Sequence, residues 1–237
     1  MHVPDGFLDV PTSLATGVVA AAGVALALRR SRGEVDDRVA PLAGLVATFV
    51  FAAQMLNFPV GAGTSGHLIG GALAAVLVGP WVATLCLTVV LLVQALVFAD
   101  GGLTALGTNV VLMAIVGVWV GWAVFAVARR VLPARAGSVP VAASVGALVS
   151  VPAAAAVFTG LFAIGGTAPV ELGALLTAML SWHVVIGIGE AVITGLVVSA
   201  VLSVRPDLVH GAPQPVELDE PHRRRLAGRG RGSGGEG

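Results

Sequence analysis

The 237-residue chain has no lysine and no tyrosine, a single cysteine, and charged side chains at only 11% of its positions. Each lack excludes something. Without lysine there is no Gly-x-x-x-x-Gly-Lys-[Ser/Thr] phosphate loop, so ATP hydrolysis by that route would have to occur on another polypeptide. One cysteine, Cys86, cannot close an intrachain disulfide. Ordinary soluble domains carry roughly 25% charged residues, and a chain this poor in them cannot cover a water-soluble globule with polar groups. The shortage is also segregated: Val39–Ala99, Gly101–Ala128 and Ala136–Val170 hold no Asp, Glu, Lys or Arg at all.

What is present is apolar. Hydrophobic residues make up 57% and the mean hydropathy is +0.96. A bilayer crossing takes about 20 apolar residues, so the pattern predicts an all-α polytopic membrane protein. Cutting the runs at charges, Gly/Pro clusters and polar turns gives helices over 12–28, 39–57, 66–79, 81–98, 105–128, 139–165 and 172–204. The alternative to a cut at Gly79-Pro80 is one long tilted helix over 66–98, and the arginines decide between them. Arg29, Arg30, Arg32 and Arg38, then Arg129, Arg130 and Arg135, then Arg205 and the tail arginines fall on one side with seven spans, whereas six split them. Cytoplasmic loops near spans carry the basic excess, so the N-terminus is expected outside and the C-terminus inside. The 14-residue span 66–79 is short for a crossing and is expected inside the bundle, away from lipid.

Residues 1–11 carry Asp5 and Asp9 and no arginine, unlike the basic start of a signal peptide. Met1 is therefore expected to remain as a free amine. Residues 1–205 read as the membrane unit. Residues 206–237, rich in Pro, Gly, Arg and acidic groups, read as a disordered cytoplasmic tail, drawn to anionic lipid. There is no internal repeat. Small-residue pairs such as Gly117-Gly121 suit close helix packing but arise easily in a chain with 32 glycines.

On the outer side this topology gathers Met1-His2-Val3-Pro4-Asp5-Gly6, Asn57-Phe58-Pro59, Gly63-Thr64-Ser65-Gly66-His67 and Asp100-Gly101-Gly102 leading to Asn109, with no basic side chain and with Asp9 and Glu171 nearby. Turn formation accounts for several of these residues. His2 offers more. A histidine beside a free amino terminus chelates through the α-amine, its own deprotonated amide and imidazole Nδ1, in a five- and a six-membered ring. Planar nitrogen donors suit Ni(II) and Cu(II), while Zn(II) prefers a tetrahedron and Mg(II) or Ca(II) prefer oxygen. His67 is the natural fourth donor; behind Thr64-Ser65 it is expected in the first turn of span 66–79, where the helix N-terminus keeps imidazole neutral. His183, Gly187 and Glu190 share one face of the last span and either support the outer site or lock the bundle.

Met1-His2-Val3-Pro4-Asp5-Gly6-Phe7-Leu8, Asn57-Phe58-Pro59-Val60, Gly63-Thr64-Ser65-Gly66-His67-Leu68-Ile69-Gly70-Gly71, Phe98-Ala99-Asp100-Gly101-Gly102 and His183-Val184-Val185-Ile186-Gly187-Ile188-Gly189-Glu190 resemble the CbiM/NikM family. These are the cobalt- and nickel-binding membrane components of energy-coupling-factor (ECF) transporters. The resemblance implies a seven-helix, multi-pass protein of the bacterial plasma membrane whose N-terminal segment folds back and holds the metal with Met1, His2 and His67. Asn57, Thr64, Ser65, Asp100, Asn109, His183 and Glu190 are candidates for supporting or gating that site. It implies Co(II) or Ni(II) as transported substrate, for cobalamin synthesis or nickel enzymes, and no organic cofactor. Its implied partners are a transmembrane coupling protein, cytoplasmic ATPase subunits, a small two-helix accessory subunit in some relatives, and lipid, with no nucleic acid.

Two other readings stand beside it. A vitamin-binding component of the same transporter class would need an aromatic-lined pocket, and four Trp and eight Phe give a thin supply. Gly63-Thr64-Ser65-Gly66 also fits the Gly-x-Ser-Gly pattern of rhomboid-like intramembrane serine proteases, with His183 as base, which leaves His2 and His67 without a role.

Overall fold

The computed structural model describes residues 1–61 and 64–212, with backbone alone at Phe58, Gly61 and Thr64. Among them seven helices follow one another: α1 Val10–Ser31, α2 Val39–Gln54, α3 Gly71–Val78, α4 Pro80–Val97, α5 Leu106–Val131, α6 Ser138–Gly165 and α7 Leu172–Val204. Strands β1 Phe58–Gly61 and β2 Thr64–Gly66 pair antiparallel between α2 and α3, with Phe58 opposite Gly66 and Pro59 opposite Ser65.

The seven apolar segments each become one helix. Five (α1, α4, α5, α6 and α7) are long and apolar enough to cross a membrane. Leu14, Val18, Val185, Ile188, Val192 and Leu196 project exposed from α1 and α7, a surface suited to lipid and costly in water. By contrast α3, eight residues and about 12 Å long at 1.5 Å per residue, is buried at every position, packed among α2, α4, α5, α6 and α7. The expectation of a short helix shielded from lipid is met. The break after it is also where the sequence put it: Gly79 takes φ +82° and Pro80 opens α4.

Two expectations need correction. The third helix begins at Gly71, not residue 66, because residues 64–66 pair with β1 and the chain then runs irregularly to Gly70. The composition of residue 206 onward suggested a tail, yet 206–212 docks. Pro206–Leu208 forms a 3₁₀ turn, Val209 is fully buried, and the N–H groups of His210 and Gly211 donate to the Leu77 and Val76 carbonyls at 3.2 and 2.9 Å. Those carbonyls end α3 and have no partner within their own helix, which gives the segment its reason to stay. The rest of that tail, 213–237, lies outside the described residues.

The bundle has two distinct poles. At one, Glu34, Arg38, Leu77, Val78, Asp207 and His210 line a common cavity, and the His210 ring lies 5.5 Å from that of Trp122 on α5. The arginine-bearing ends of α1, α5 and α7 belong to this end of the molecule. Small residues let α3 and α5 touch: a Cβ on Gly71 would lie 2.7 Å from the Gly117 carbonyl carbon, and one on Gly121 2.7 Å from the Ala72 Cβ. The Gly117-Gly121 pair is thus a real contact face. At the opposite pole the N-terminal segment, the 55–70 loop and the α4–α5 loop converge.

Candidate functional site

Residues 1–8 do not trail into solvent. Met1, His2 and Val3 are 2%, 7% and 1% exposed, and a ladder of contacts seats them. Val3 donates its N–H to Asn109 Oδ1 at 2.8 Å, and its carbonyl accepts from Asn109 Nδ2 and from the Gly102 N–H at 3.2 and 2.9 Å. One Asp5 oxygen accepts both the Thr104 N–H at 2.7 Å and the Thr104 hydroxyl at 2.5 Å. Thr167 donates its hydroxyl to the Gly6 carbonyl at 2.7 Å, and Phe7 packs between Phe158 and Phe162. Gly102 must be glycine for this fit, since a Cβ there would stand 2.7 Å from the Pro4 carbonyl carbon.

The seating brings His2 and His67 together, their rings stacked with centroids 4.5 Å apart and planes inclined by 27°. His2 Nε2 lies 3.2 Å from Gln94 Oε1 on α4. The ring proton has two places: on Nε2 it is donated to the amide oxygen and Nδ1 keeps its lone pair, and on Nδ1 it is directed at Asp100. That nitrogen faces Asp100 Oδ1 at 3.2 Å but is not aligned with it as a hydrogen bond. Asp100 accepts from Asn57 Nδ2 at 3.0 Å through its other oxygen. The His2 contact, ahead of the nearby α-amine and Asn57, holds the Asp100 carboxyl below the usual carboxylate range.

His67 sits in the irregular stretch between β2 and α3, not in a first helical turn as the sequence suggested. Its Nδ1 lies 2.7 Å from the Leu68 carbonyl, which only accepts, so Nδ1 carries the proton and Nε2 the lone pair. Nε2 is buried without a partner among the described residues. Neutrality of the ring therefore comes from burial, not from a helix terminus: burial first, then the α-amine and the neighbouring imidazoles, push its pKa well below the ordinary value. Burial likewise pushes the Met1 α-amine well below its ordinary value, against the opposing pull of Asp100 and Glu190.

Glu190 and His183 do not pair with each other. Glu190, 2% exposed, accepts the Ile69 N–H at 2.6 Å and the Gly70 N–H at 3.0 Å, so it anchors the loop that carries His67. Gln54 donates to the Ile69 carbonyl at 2.8 Å from the other side. His183 donates Nδ1–H to the Met179 carbonyl at 2.7 Å. Its Nε2 has no partner among the described residues, so the nucleophile–base contact that a Ser65–His183 protease would use is not formed. Ser65 lies half-buried in the hairpin, and the Thr64 side chain is outside the described residues. Asp9 and Glu171, counted as part of an acidic outer face, serve as N-caps of α1 and α7.

Among the described residues no three His, Cys, Asp or Glu side chains converge on a metal-sized point. Any ion held by His2 and His67 must take main-chain nitrogen as well. The sequence reading missed Gln54, Gln94 and Thr104. The first two had a signal, as amides inside otherwise charge-free apolar runs; Thr104 had none.

Comparison with known proteins places the chain in a family. The family model described as CbiM, cobalt uptake substrate-specific transmembrane region, matches residues 2–208. A protein of Haloquadratum walsbyi named as a metal transport protein is 40% identical over 209 residues, covering 88% of this chain and 93% of its own. A protein of Archaeoglobus fulgidus named as a fused nickel transport protein, NikMN, is 40% identical over 219 residues, 92% of this chain and 71% of its own. A crystal structure of a truncated transition metal transporter superposes with a TM-score of 0.76 at 33% identity, covering 86% of this chain and 99% of that one. The match across nearly all seven helices, with the buried amino terminus at its start, makes this chain a multi-pass membrane protein of the CbiM family, the substrate-specific component of cobalt and nickel transport.

Proposed function

We propose that this chain captures Co(II) or Ni(II) at the outer face of the membrane for import driven by ATP hydrolysis on partner subunits. The partners are the coupling protein and cytoplasmic ATPases of an energy-coupling-factor transporter. The observation that carries the reading is the burial of Met1–Val3 with His2 stacked on His67, each ring keeping a buried nitrogen without a hydrogen bond. The ion is the substrate, and its four donors are the Met1 α-amine, the His2 amide nitrogen, His2 Nδ1 and His67 Nε2.

The surrounding residues suit that chemistry. Burial pushes the α-amine pKa well below its ordinary value, which favours the neutral lone pair that a metal takes. The His2 amide does release its proton when the metal–nitrogen bond forms, leaving one net positive charge on the ion and its amide. Asp100 beside His2 and Glu190 behind the His67 loop compensate that charge in a low-dielectric interior. The pole bearing the arginines faces the cytoplasm by the positive-inside rule, which places the ion-capturing pole outside. No residue of the described chain is assigned to ATP chemistry.

Equilibrium dialysis of the purified full chain, with intact-mass analysis of Met1, tests the donor set. One Ni(II) or Co(II) per chain is expected. His67→Ala and a one-residue extension before Met1 are each expected to weaken binding by about 100-fold or more, since each removes a direct ligand. Undiminished binding in either variant, or an acylated Met1 in the metal-loaded protein, refutes the assignment.

A further inference from the structure

Eight residues inside α5, Val110–Gly117, are wound as a π-helix, a winding that the proposed donor set does not use. A π turn closes its hydrogen bonds over five residues where an α turn closes them over four, and such segments recur at functional sites. The wider turn stores one residue more than α winding needs. Returning that residue to an α-helix rotates one end of α5 against the other by about 100° and lengthens it by about 1.5 Å.

Both ends are tied, and to different halves of the site. Just before the π turns, Asn109 holds the N–H and the carbonyl of Val3 at 2.8 and 3.2 Å. The Thr108 hydroxyl lies 2.7 Å from that of Thr16 on α1, and a Cβ on Gly107 would stand 2.5 Å from the Gly17 Cα. At the other end Gly117 meets the entry to α3. A Cβ on it would stand 3.0 Å from the Ile69 side chain, and one on Gly71 2.7 Å from the Gly117 carbonyl carbon. The first end thus seats the segment that carries His2, and the second seats the chain that follows His67.

The residues between make a change of winding cheap. Every side chain from Val110 to Val116 is apolar, so a one-residue shift exchanges one hydrophobic group for another and leaves no buried polar side chain unpaired. Val110, Val111, Ile115 and Val116 are β-branched, which weakens the preference for α winding.

We propose that Val110–Gly117 is a one-residue register switch that opens the metal site. In π winding Asn109 and Gly117 hold the two ligand-bearing segments together, with the His2 and His67 rings 4.5 Å apart. In α winding Asn109 turns away from Val3 while Gly117 stays on α3, and His2 parts from His67. The inference rests on the donor set proposed above.

Deleting the stored residue separates the switch from the fold. Without Val116 the segment winds as α with both ends where they now are. Without Ala123, in the α-wound stretch, the arginine-bearing end turns out of register. The full chain lacking Val116 is expected to melt near the wild-type temperature and to bind Ni(II) with wild-type affinity. Capture, and release into a chelator, are both expected to slow by at least about tenfold, because opening gates them. Wild-type rates overturn the proposal, and so does a loss of stability as large as the Ala123 deletion gives. Hydrogen exchange on the wild-type protein in detergent needs no variant. Amides of residues 110–117 are expected to exchange at least about tenfold faster without metal than with Ni(II), those of 118–131 equally in both; equal protection of 110–117 overturns the switch. Nickel binding that survives His67→Ala removes the donor set and this inference with it. Binding that is lost in His67→Ala, with no contrast in exchange, sinks the switch alone.

Discussion

Glu190 and Gly70 are 120 residues apart in sequence, yet the Glu190 carboxylate accepts the Gly70 N–H at 3.0 Å, while its second oxygen takes the Ile69 N–H at 2.6 Å. This contact fixes the entry to α3. The far end of α3 is held by the His210 and Gly211 N–H groups, which follow α7 in the chain. One helix and its extension thus clamp both ends of the eight-residue element that follows His67.

Replacing Glu190 by Gln removes one of the two acceptors and turns an amide N–H₂ toward a backbone N–H. A hydrogen bond to a buried charged group is worth about 1.5–3 kcal/mol, so Glu190→Gln is expected to lower stability by about 2 kcal/mol. Metal affinity is expected to fall about tenfold as the His67 loop loosens. Thermal unfolding in detergent and dialysis against Ni(II) measure the two effects; wild-type values in both would show that the clamp is idle.

Gly102→Ala should separate the seating of the N-terminus from the stability of the helices. The added Cβ would stand 2.7 Å from the Pro4 carbonyl carbon, backbone that has no easy way to yield, so Met1–Asp5 is displaced and metal binding drops tenfold or more. Gly44→Ala is the control: its Cβ meets nothing within 4 Å, and in a helix interior the change is expected to stabilise by about 0.5–1 kcal/mol and leave binding alone. Equal binding by the two variants would contradict the seated-segment picture.

The pH dependence of seating follows from two bases buried in neutral form. The Met1 α-amine and the His67 imidazole both have pKa values well below ordinary in the folded chain, while the unseated segment takes up protons at ordinary pH. Stability is therefore full at high pH. It declines as pH falls below about 8 for the amine and below about 6.5 for His67, by up to about 1.4 kcal/mol per pH unit for each group. Asp100, shifted downward, stays charged across this range and adds no opposing slope above about pH 4. Hydrogen exchange at the Gly102 N–H, which donates to Val3, is the readout; protection that rises as the solution is acidified would reverse the sign argued here.

At the other pole, Gly79→Ala places a Cβ on a residue with φ +82° and 3.1 Å from the His210 ring. Backbone strain of this kind costs about 1–3 kcal/mol, and the melting temperature is expected to fall accordingly. Metal affinity of the folded fraction is expected to stay within about twofold, because Glu190 holds the opposite end of α3. A selective loss of binding with an unchanged melting temperature would show that the α3–α4 junction belongs to the site.

Helix number and location were legible because both depend on local composition. Charge-free runs of about 20 residues satisfy their backbone in lipid as helices, and arginines mark where they end. The start of α3 was not legible: Thr64-Ser65 looks like an N-cap, but Pro59 pairs with Ser65 across the hairpin, a non-local bond that no local pattern announces. Docking of 206–212 was missed for the same reason, since its partners are carbonyls of Val76 and Leu77.

Sequence alone determined that this chain is a membrane bundle of seven helices, and it singled out Met1, His2 and His67 as candidate nitrogen donors, because apolar length, charge placement and donor type are properties of residues and near neighbours. Only the tertiary structure decided that His2 stacks on His67, that Gln94 lies against His2 Nε2 while the Leu68 carbonyl takes the His67 ring proton, that Asn109, Gly102 and Thr104 hold the amino terminus among the helices, and that Glu190 grips the loop and not His183. Each of these joins residues far apart in the chain, and their meeting depends on how the helices pack.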